Sequence, residues 1–376
     1  MNNKVTKLVI LTLLILVFMF GIVALAAQKT ESVTSNQPLP VPKVVTDRPL
    51  VLGYQMTEVA HESSQRIFLQ VQNEAEKRGW KLIANTDADD VVKQRAGLEN
   101  FINQDVDAII VFNGVMETWE DLILKAREKG IGFYSIDTGL SDGVIVNSTQ
   151  QNGVAGAKMV YFGVDRLTKM GGGNVLVINC PEQLVYRQRS AAAKGLLETE
   201  WPEIEMIGYE IMQSIITSWK DAYDITQNYL AKYDNDIQWI FAPWDGAGWS
   251  AAKAVLEAGL TRDDVFITGI DGGSNAYSEI RKGSPFIACL SQPFELYTHD
   301  ICEAVNQVQI EGIAPGENGS IIPLSRTIYG DGVVTSASNL PEPGTNIHEV
   351  FKDSYYDSNN KDAWYFWGKP YIITAE

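Results

Sequence analysis

Three aspartates, Asp137, Asp245 and Asp271, each close a short, largely apolar run. Carboxylates gathered in one cleft can act as acid and base across a glycosidic bond. They can also accept hydrogen bonds from hydroxyls, since each offers several acceptor positions. The other parts that hydrolysis or redox chemistry would need are not in the sequence. There is no H-E-x-x-H pair and no C-x-x-C, and the chain has three histidines. No nucleophile or metal-ligand set is therefore readable. Cys180, Cys289 and Cys302 are odd in number and widely spaced. Cys289 and Cys302 remain open as a pair, but buried free thiols are the reading adopted. Gly171-Gly172-Gly173 precedes an apolar run. A phosphate loop needs strand, glycines, then helix, so the triplet reads as a turn. These residues point to a binding protein rather than an enzyme, with no cofactor and no metal.

The elements that must carry these residues follow from hydrophobic period. Strand-like runs fall at 49–54, 81–84, 108–112 and 132–136. Between them, 63–79, 91–104 and 119–129 have helical spacing, the first through Ile67, Val71 and Ala75 with Gly79 as its stop. After Gly153 the rhythm restarts, with helices at 155–167, 187–199, 221–233 and 251–258 and strands at 174–178, 204–209, 237–241 and 265–270. Such alternation predicts parallel sheets with crossover helices. The unbroken run 108–112 predicts a strand buried on both faces. The fold class is α/β, with two Rossmann-like lobes. Ligands of open α/β sheets bind beyond the carboxyl ends of the strands. Residues 54–64, 112–115, 137–139, 244–245 and 271–272 occupy such ends, and two facing lobes would bring them into one cleft.

Residues 1–27 read as a secretory signal or a retained membrane anchor. Lys4 and Lys7 precede an apolar run over 8–27 that ends in small residues. Residues 28–47 form a flexible tether with Pro38, Pro40 and Pro42. The remaining clamp of about 325 residues suits two lobes better than one core. The expected division is an N-lobe at 48–149 plus 293–322, a C-lobe at 150–292 plus 323–340, and an aromatic-rich extension at 341–376. That extension is too aromatic for a disordered tail, and it is expected to pack back on a lobe or hinge, or to dock a partner. The formal net charge is −17, which argues against nucleic acid as a partner. The chain is expected to be a monomer in the periplasm or on the outer face of the cytoplasmic membrane.

Several segments are recognisable in order. Val106-Asp107-Ala108-Ile109-Ile110, Gly130-Ile131-Gly132-Phe133-Tyr134-Ser135-Ile136-Asp137, Gln151-Asn152-Gly153, Phe241-Ala242-Pro243-Trp244-Asp245, Gly269-Ile270-Asp271-Gly272 and Ser291-Gln292-Pro293 occur between about residues 50 and 325. In sequence and spacing this set resembles the ribose/galactose-type periplasmic sugar-binding proteins of ABC transporters, with the type I periplasmic-binding-protein fold. The resemblance implies a three-segment hinge, with crossings near 146–151, 291–294 and 321–325. It implies capture of a monosaccharide or polyol by lobe closure and delivery to the membrane permease of an ABC importer. A second reading keeps the clamp but tethers it to the membrane as a sugar sensor for a histidine kinase or chemoreceptor.

The resemblance also implies residue roles. Asp137 and Asp271 would accept from sugar hydroxyls. Arg189 would donate a fork of hydrogen bonds, with Arg187 the competing choice. Gln292 would contact ligand from a hinge strand, and Trp219 would stack on a sugar face. The first loop departs from the family's two stacking phenylalanines: His61-Glu62-Ser63-Ser64 stands there, and Trp244 replaces an asparagine before Asp245. His61, Glu62, Asn113, Trp244 and Asp245 complete the candidate ligand set. Each has a plainer alternative: a strand-end aspartate can cap a helix, and a tryptophan can simply fill a core.

Overall fold

The computed structural model describes residues 39–57, 61–88 and 90–375. The expected signal or anchor, and most of the tether, lie outside the described residues. Among the described residues no helix is long and apolar enough to cross a membrane.

The first half alternates β1 (Val51–Thr57), α1 (Glu62–Arg78), β2 (Lys81–Ala88), α2 (Val91–Asn103), β3 (Ala108–Phe112), α3 (Glu120–Glu128), β4 (Gly132–Ile136) and β5 (Asn147–Thr149). The second half runs α4 (Asn152–Lys169), β6 (Val175–Asn179), α5 (Leu184–Glu200), β7 (Met206–Ile211), α6 (Ser218–Lys232), β8 (Trp239–Phe241), α7 (Asp245–Glu257), β9 (Phe266–Asp271), α8 (Ser274–Lys282) and β10 (Phe286–Ser291). Then come α9 (Phe294–Asn306), β11 (Thr327–Tyr329) and β12 (Val333–Ser336). Two six-stranded sheets result, ordered β11-β5-β4-β3-β1-β2 and β12-β10-β9-β8-β6-β7. All pairings are parallel except β10 with β12. β3 is buried along its whole length, as its unbroken apolar run predicts. This is the α/β architecture of two helix-flanked parallel sheets that the alternation predicts.

The chain passes from one sheet to the other after β5, after β10 and after β11. The first two passages fall where they were expected. The third does not: residues 323–340 were assigned to the second lobe, yet β11 pairs with β5 in the first sheet. The crossing therefore lies between Tyr329 and Val333, not at 321–325. β11 is a short, half-exposed edge strand, so hydrophobic pattern could not say which sheet it joins. Four helix starts differ by three residues or more. α4, α5 and α6 begin at Asn152, Leu184 and Ser218, where helices were expected from 155, 187 and 221, and α7 begins at Asp245, where one was expected from 251. Gly246 and Gly248 lower helix propensity in that first turn, but they are needed for packing. A Cβ on Gly246 would lie 2.1 Å from the Trp244 ring, and one on Gly248 would lie 2.5 Å from Phe286.

Cys180, Cys289 and Cys302 are buried and form no disulfide. The glycine triplet has φ values of 95°, 97° and 145° and leads into β6, as a turn should.

Residues 341–375 pack on both lobes. Ile347, Phe351 and Ile373 are fully buried in the second lobe's core with Ala276, Tyr277 and Phe286. On the first lobe, Trp364 stacks on His299 with centroids 4.5 Å apart and planes 5° apart. The Lys369 backbone pairs both ways with Asn73 of α1, at 2.9 and 3.0 Å.

α9 lies against α1 and the first sheet, and it carries Asp300. Burial, with Glu74 nearby, pushes the Asp300 carboxyl up to about 6 even though Ser148 donates to it. A carboxyl raised in the folded state costs stability above its folded pKa, and the cost vanishes below its unfolded pKa near 4. Asp300→Asn should therefore raise stability at pH 7 by about 3 kcal/mol, with the gain disappearing as pH falls from 6 to 4. Urea melts at pH 7 and pH 4 check this.

Candidate functional site

The carboxyl ends of the strands meet between the two sheets. Three residues there have left-handed or strained backbone: Asn113 (φ 51°) after β3, Asp137 (φ 46°) after β4 and Asp271 (φ 130°) closing β9. Non-glycine residues adopt such angles rarely, and they cluster where surrounding structure must aim a side chain.

Arg189, one turn into α5, is fully buried and joins the two sheets. Its Nη2 lies 3.3 Å from Asp137 Oδ2, and its Nη1 lies 3.1 Å from Asp271 Oδ1 and 3.0 Å from the Pro243 carbonyl. Its Nε donates to Asn152 Oδ1 at 2.7 Å. The competing Arg187 is half-exposed and donates to the Pro181 carbonyl. Asp137 also accepts from the Thr149 hydroxyl and from Asn152. Gln292, in the second crossing, donates from Nε2 to Asp271 Oδ1 at 2.5 Å. Burial pushes Asp137 and Asp271 above the usual carboxylate range, and Arg189 opposes that push. Burial works against the Arg189 charge as well, but Asp271 and Asp137 outweigh it.

His61 caps α1 and approaches Asp271 from the first lobe. Its Nε2 lies 3.9 Å from Asp271 Oδ2, and its ring lies 4.6 Å from that of Trp244. Burial lowers its pKa to about 4, with Arg189 and Arg66 adding to the effect, so the imidazole is neutral at pH 7. Asp245, in the first turn of α7, accepts from the Gly272 amide at 3.1 Å. Burial, then Asp271 and Glu62, push it well above the usual range. His61, Asp245 and Asp271 each present a ligand atom within 4.8 Å of the others. Asn113 is buried at the end of β3, and its carbonyl accepts from Thr57. Trp244 is fully buried.

Two candidates stand elsewhere. Glu62 crosses the cleft to cap α8, accepting from Ser274 N at 2.6 Å and Asn275 N at 3.1 Å, and it also accepts from Tyr371. Its negative charge at a helix N-terminus is favourable. Trp219 is 39% exposed and meets Trp244 and Trp249 edge-on. It sits at the rim of the cluster rather than among the charged groups.

Sequence reasoning missed Arg66. It is fully buried on α1, pairs with Glu295 through two bonds of 2.7 Å, and donates to the Gly272 and Gln292 carbonyls at 2.9 Å. Glu62 and Arg66 together thus tie α1 to the loop before α8. Locally they read as an ordinary i,i+4 pair on a solvated helix face. Nothing nearby in the chain announces Glu295. Asn152 and Thr149 were missed too, although Asn152 lies within a recognised segment.

Several buried polar atoms around the cleft have no hydrogen-bond partner: His61 Nε2, Asn179 Oδ1, Trp244 Nε1 and Gln292 Oε1. Buried polar groups are nearly always satisfied, so donors and acceptors left over at strand ends mark a place for polar ligand atoms. A groove of about 900 Å³ reaches Thr149 and Asn152, the residues that hold Asp137; Asn147, Leu184, Gln188 and Tyr329 also line it.

The geometry has recognisable relatives. The chain is 27% identical over 214 residues to the xylitol-binding protein of Mycolicibacterium smegmatis, covering 56% of this chain and 58% of that protein. It is 28% identical over 225 residues to the fructose import binding protein FruE of Bifidobacterium longum, covering 57% and 65% respectively. The chain thus spans less than two thirds of the length of these relatives. A solved ABC sugar transporter subunit from Rhodobacter sphaeroides superposes with a TM-score of 0.67 at 25% identity, covering 77% of this chain and 99% of that one. The family model for the periplasmic binding protein domain matches residues 58–299. With two facing parallel sheets, an arginine bridge between their strand ends and this match over most of the clamp, the chain belongs to the periplasmic binding protein domain family.

Proposed function

We propose that the protein is an extracytoplasmic solute-binding protein that captures a monosaccharide or polyol between its lobes and delivers it to the permease of an ABC-type sugar importer. The observation that carries this reading is the Arg189 bridge between Asp137 of one lobe and Asp271 of the other, set among unpartnered polar atoms. A fixed guanidinium between two carboxylates suits adjacent hydroxyls, which accept from the arginine and donate to the aspartates. Trp244 supplies an apolar ring surface beside them.

His61, Asn113, Asp137, Arg189, Trp244, Asp245, Asp271 and Gln292 are the ligand-facing residues in this reading. Glu62 and Arg66 hold the lobes together, and Trp219 closes the rim. The names of the curated relatives favour import over sensing. The reading is non-enzymatic, because carboxylates pinned by one arginine are poor proton shuttles. The lobes would be 48–149 with 293–329, and 150–292 with 333–340.

A ligand that binds only the folded state stabilises it by about 2.7 kcal/mol at a hundred times its Kd. A thermal-shift series with xylitol, fructose, ribose and myo-inositol should therefore show a marked rise in Tm with one of them. Flat melting temperatures across monosaccharides and polyols at millimolar concentration would overturn the proposal.

A further inference from the structure

We propose that the cleft also holds a divalent transition cation, Mn2+ or Zn2+, on His61, Asp245 and Asp271, and that hydroxyls of the bound polyol complete its coordination. The cation site stands on its own geometry. The hydroxyl contacts rest on the sugar-binding function proposed above.

The three ligand atoms come from different elements, α1's cap, the first turn of α7 and the end of β9, and lie within 4.8 Å of one another. Ligand atoms about 2.1 Å from a shared ion stand roughly 3–4 Å apart, so a small contraction closes the set. All three residues are buried, at 5%, 4% and 4% exposure.

A second observation is the state of the His61 ring. Its Nε2 is buried without a partner, 3.9 Å from Asp271 Oδ2. Its Nδ1 accepts from the Ser63 amide at 3.3 Å and contacts the Ser63 hydroxyl. A metal-bound histidine usually donates its other ring N–H to a neighbouring acceptor, which fixes the tautomer. A cation on Nε2 would put the ring proton on Nδ1, where the Ser63 hydroxyl would accept it in place of the amide contact.

Charge gives a third reason. Among the described residues, Glu62, Asp137, Asp245, Asp271 and Glu295 are buried around the cleft, with Arg66 and Arg189 as the buried cations there. Arg66 is engaged by Glu295, and Arg189 is shared by Asp137 and Asp271. Asp245 is held by the backbone amides of Gly246 and Gly272 and pairs with neither arginine. Buried carboxylates need compensation, and a divalent cation supplies it for two at once. Gln292 Oε1 is also unpartnered, while its Nε2 binds Asp271, so a neutral oxygen stands beside the set.

One imidazole with two carboxylates suits Mn2+ or Zn2+ better than Ca2+, which takes six to eight oxygens. Three protein ligands leave coordination positions for vicinal hydroxyls.

The test is calorimetry on chelator-stripped protein, titrated first with Mn2+ or Zn2+ alone and then with the polyol that raises Tm. One ion should bind per chain. Asp245→Asn and His61→Gln should each weaken it by about tenfold or more, with thermal melts showing that both variants fold. Stripping should weaken polyol binding by a similar factor. No stoichiometric uptake of either ion, uptake untouched by both variants, or uptake of Ca2+ alone would overturn the cation site. Polyol affinity unchanged by chelation would overturn the hydroxyl contacts. Cation binding without any polyol binding would instead count against the function proposed above.

Discussion

Replacing Arg189 with methionine should destabilise the protein by about 3–5 kcal/mol at pH 7, because it leaves two buried carboxylates without their counter-charge. Methionine roughly fills the stem volume, so the loss is mainly electrostatic. Asp137 and Asp271 are already held above their usual range by burial, with Arg189 restraining the shift. Without the guanidinium both should rise further. A carboxyl raised in the folded state penalises folding above its folded pKa, and the penalty fades as pH falls toward the unfolded value near 4. The deficit of Arg189→Met against wild type should therefore shrink on acidification. Denaturant melts between pH 7 and pH 4 check this, and a deficit that is constant with pH would show that packing, not charge, was lost. Arg189→Lys keeps the charge but cannot reach Asp137, Asp271, Pro243 and Asn152 together, so it should fall between the two.

Truncation after Leu340 should have an even larger effect. It removes Ile347, Phe351 and Ile373, each fully buried in the second lobe's core. Large-to-small changes at such sites cost about 2–5 kcal/mol each. Losing three therefore takes away about 6 kcal/mol or more, comparable with the whole stability of many domains. The truncated chain should lose its cooperative thermal transition or precipitate. A milder variant isolates the contact with the first lobe. Trp364→Ala removes the stack on His299 and the edge-on contact with His348, yet leaves the three core side chains in place. It should lower Tm by only a few degrees. If the truncated chain melted like wild type, the extension would be an ornament on the surface rather than part of the core.

Legibility of the site varied with how local its determinants are. Asp137, Asp271 and Gln292 were readable because each follows an apolar strand run, and the carboxyl ends of parallel strands face the ligand side by construction. Arg189 was readable from the recognised helix start and is fully buried there. Glu62 was expected at the ligand, but its carboxylate caps α8, more than 200 residues away along the chain. Arg66 was not singled out at all, since its partner Glu295 lies 229 residues away. The start of α7 was misplaced because Gly246 and Gly248 weaken the local helix signal, while the Trp244 and Phe286 rings require them.

By itself the sequence determined the alternation of strands and helices, the two parallel sheets, and the strand-end aspartates that face each other between them. These follow from short-range periodicity, which survives in the chain whatever its neighbours do. The tertiary structure decided the rest. It decided that β11 joins the first sheet, that Glu62 and Arg66 bind the opposite lobe, and that residues 341–375 complete one core while gripping the other lobe. It also brought His61 to Asp245 and Asp271, a set whose members come from α1's cap, the first turn of α7 and the end of β9. Pairings of this kind depend on which distant groups are buried together, and no local pattern of residue types carries that information.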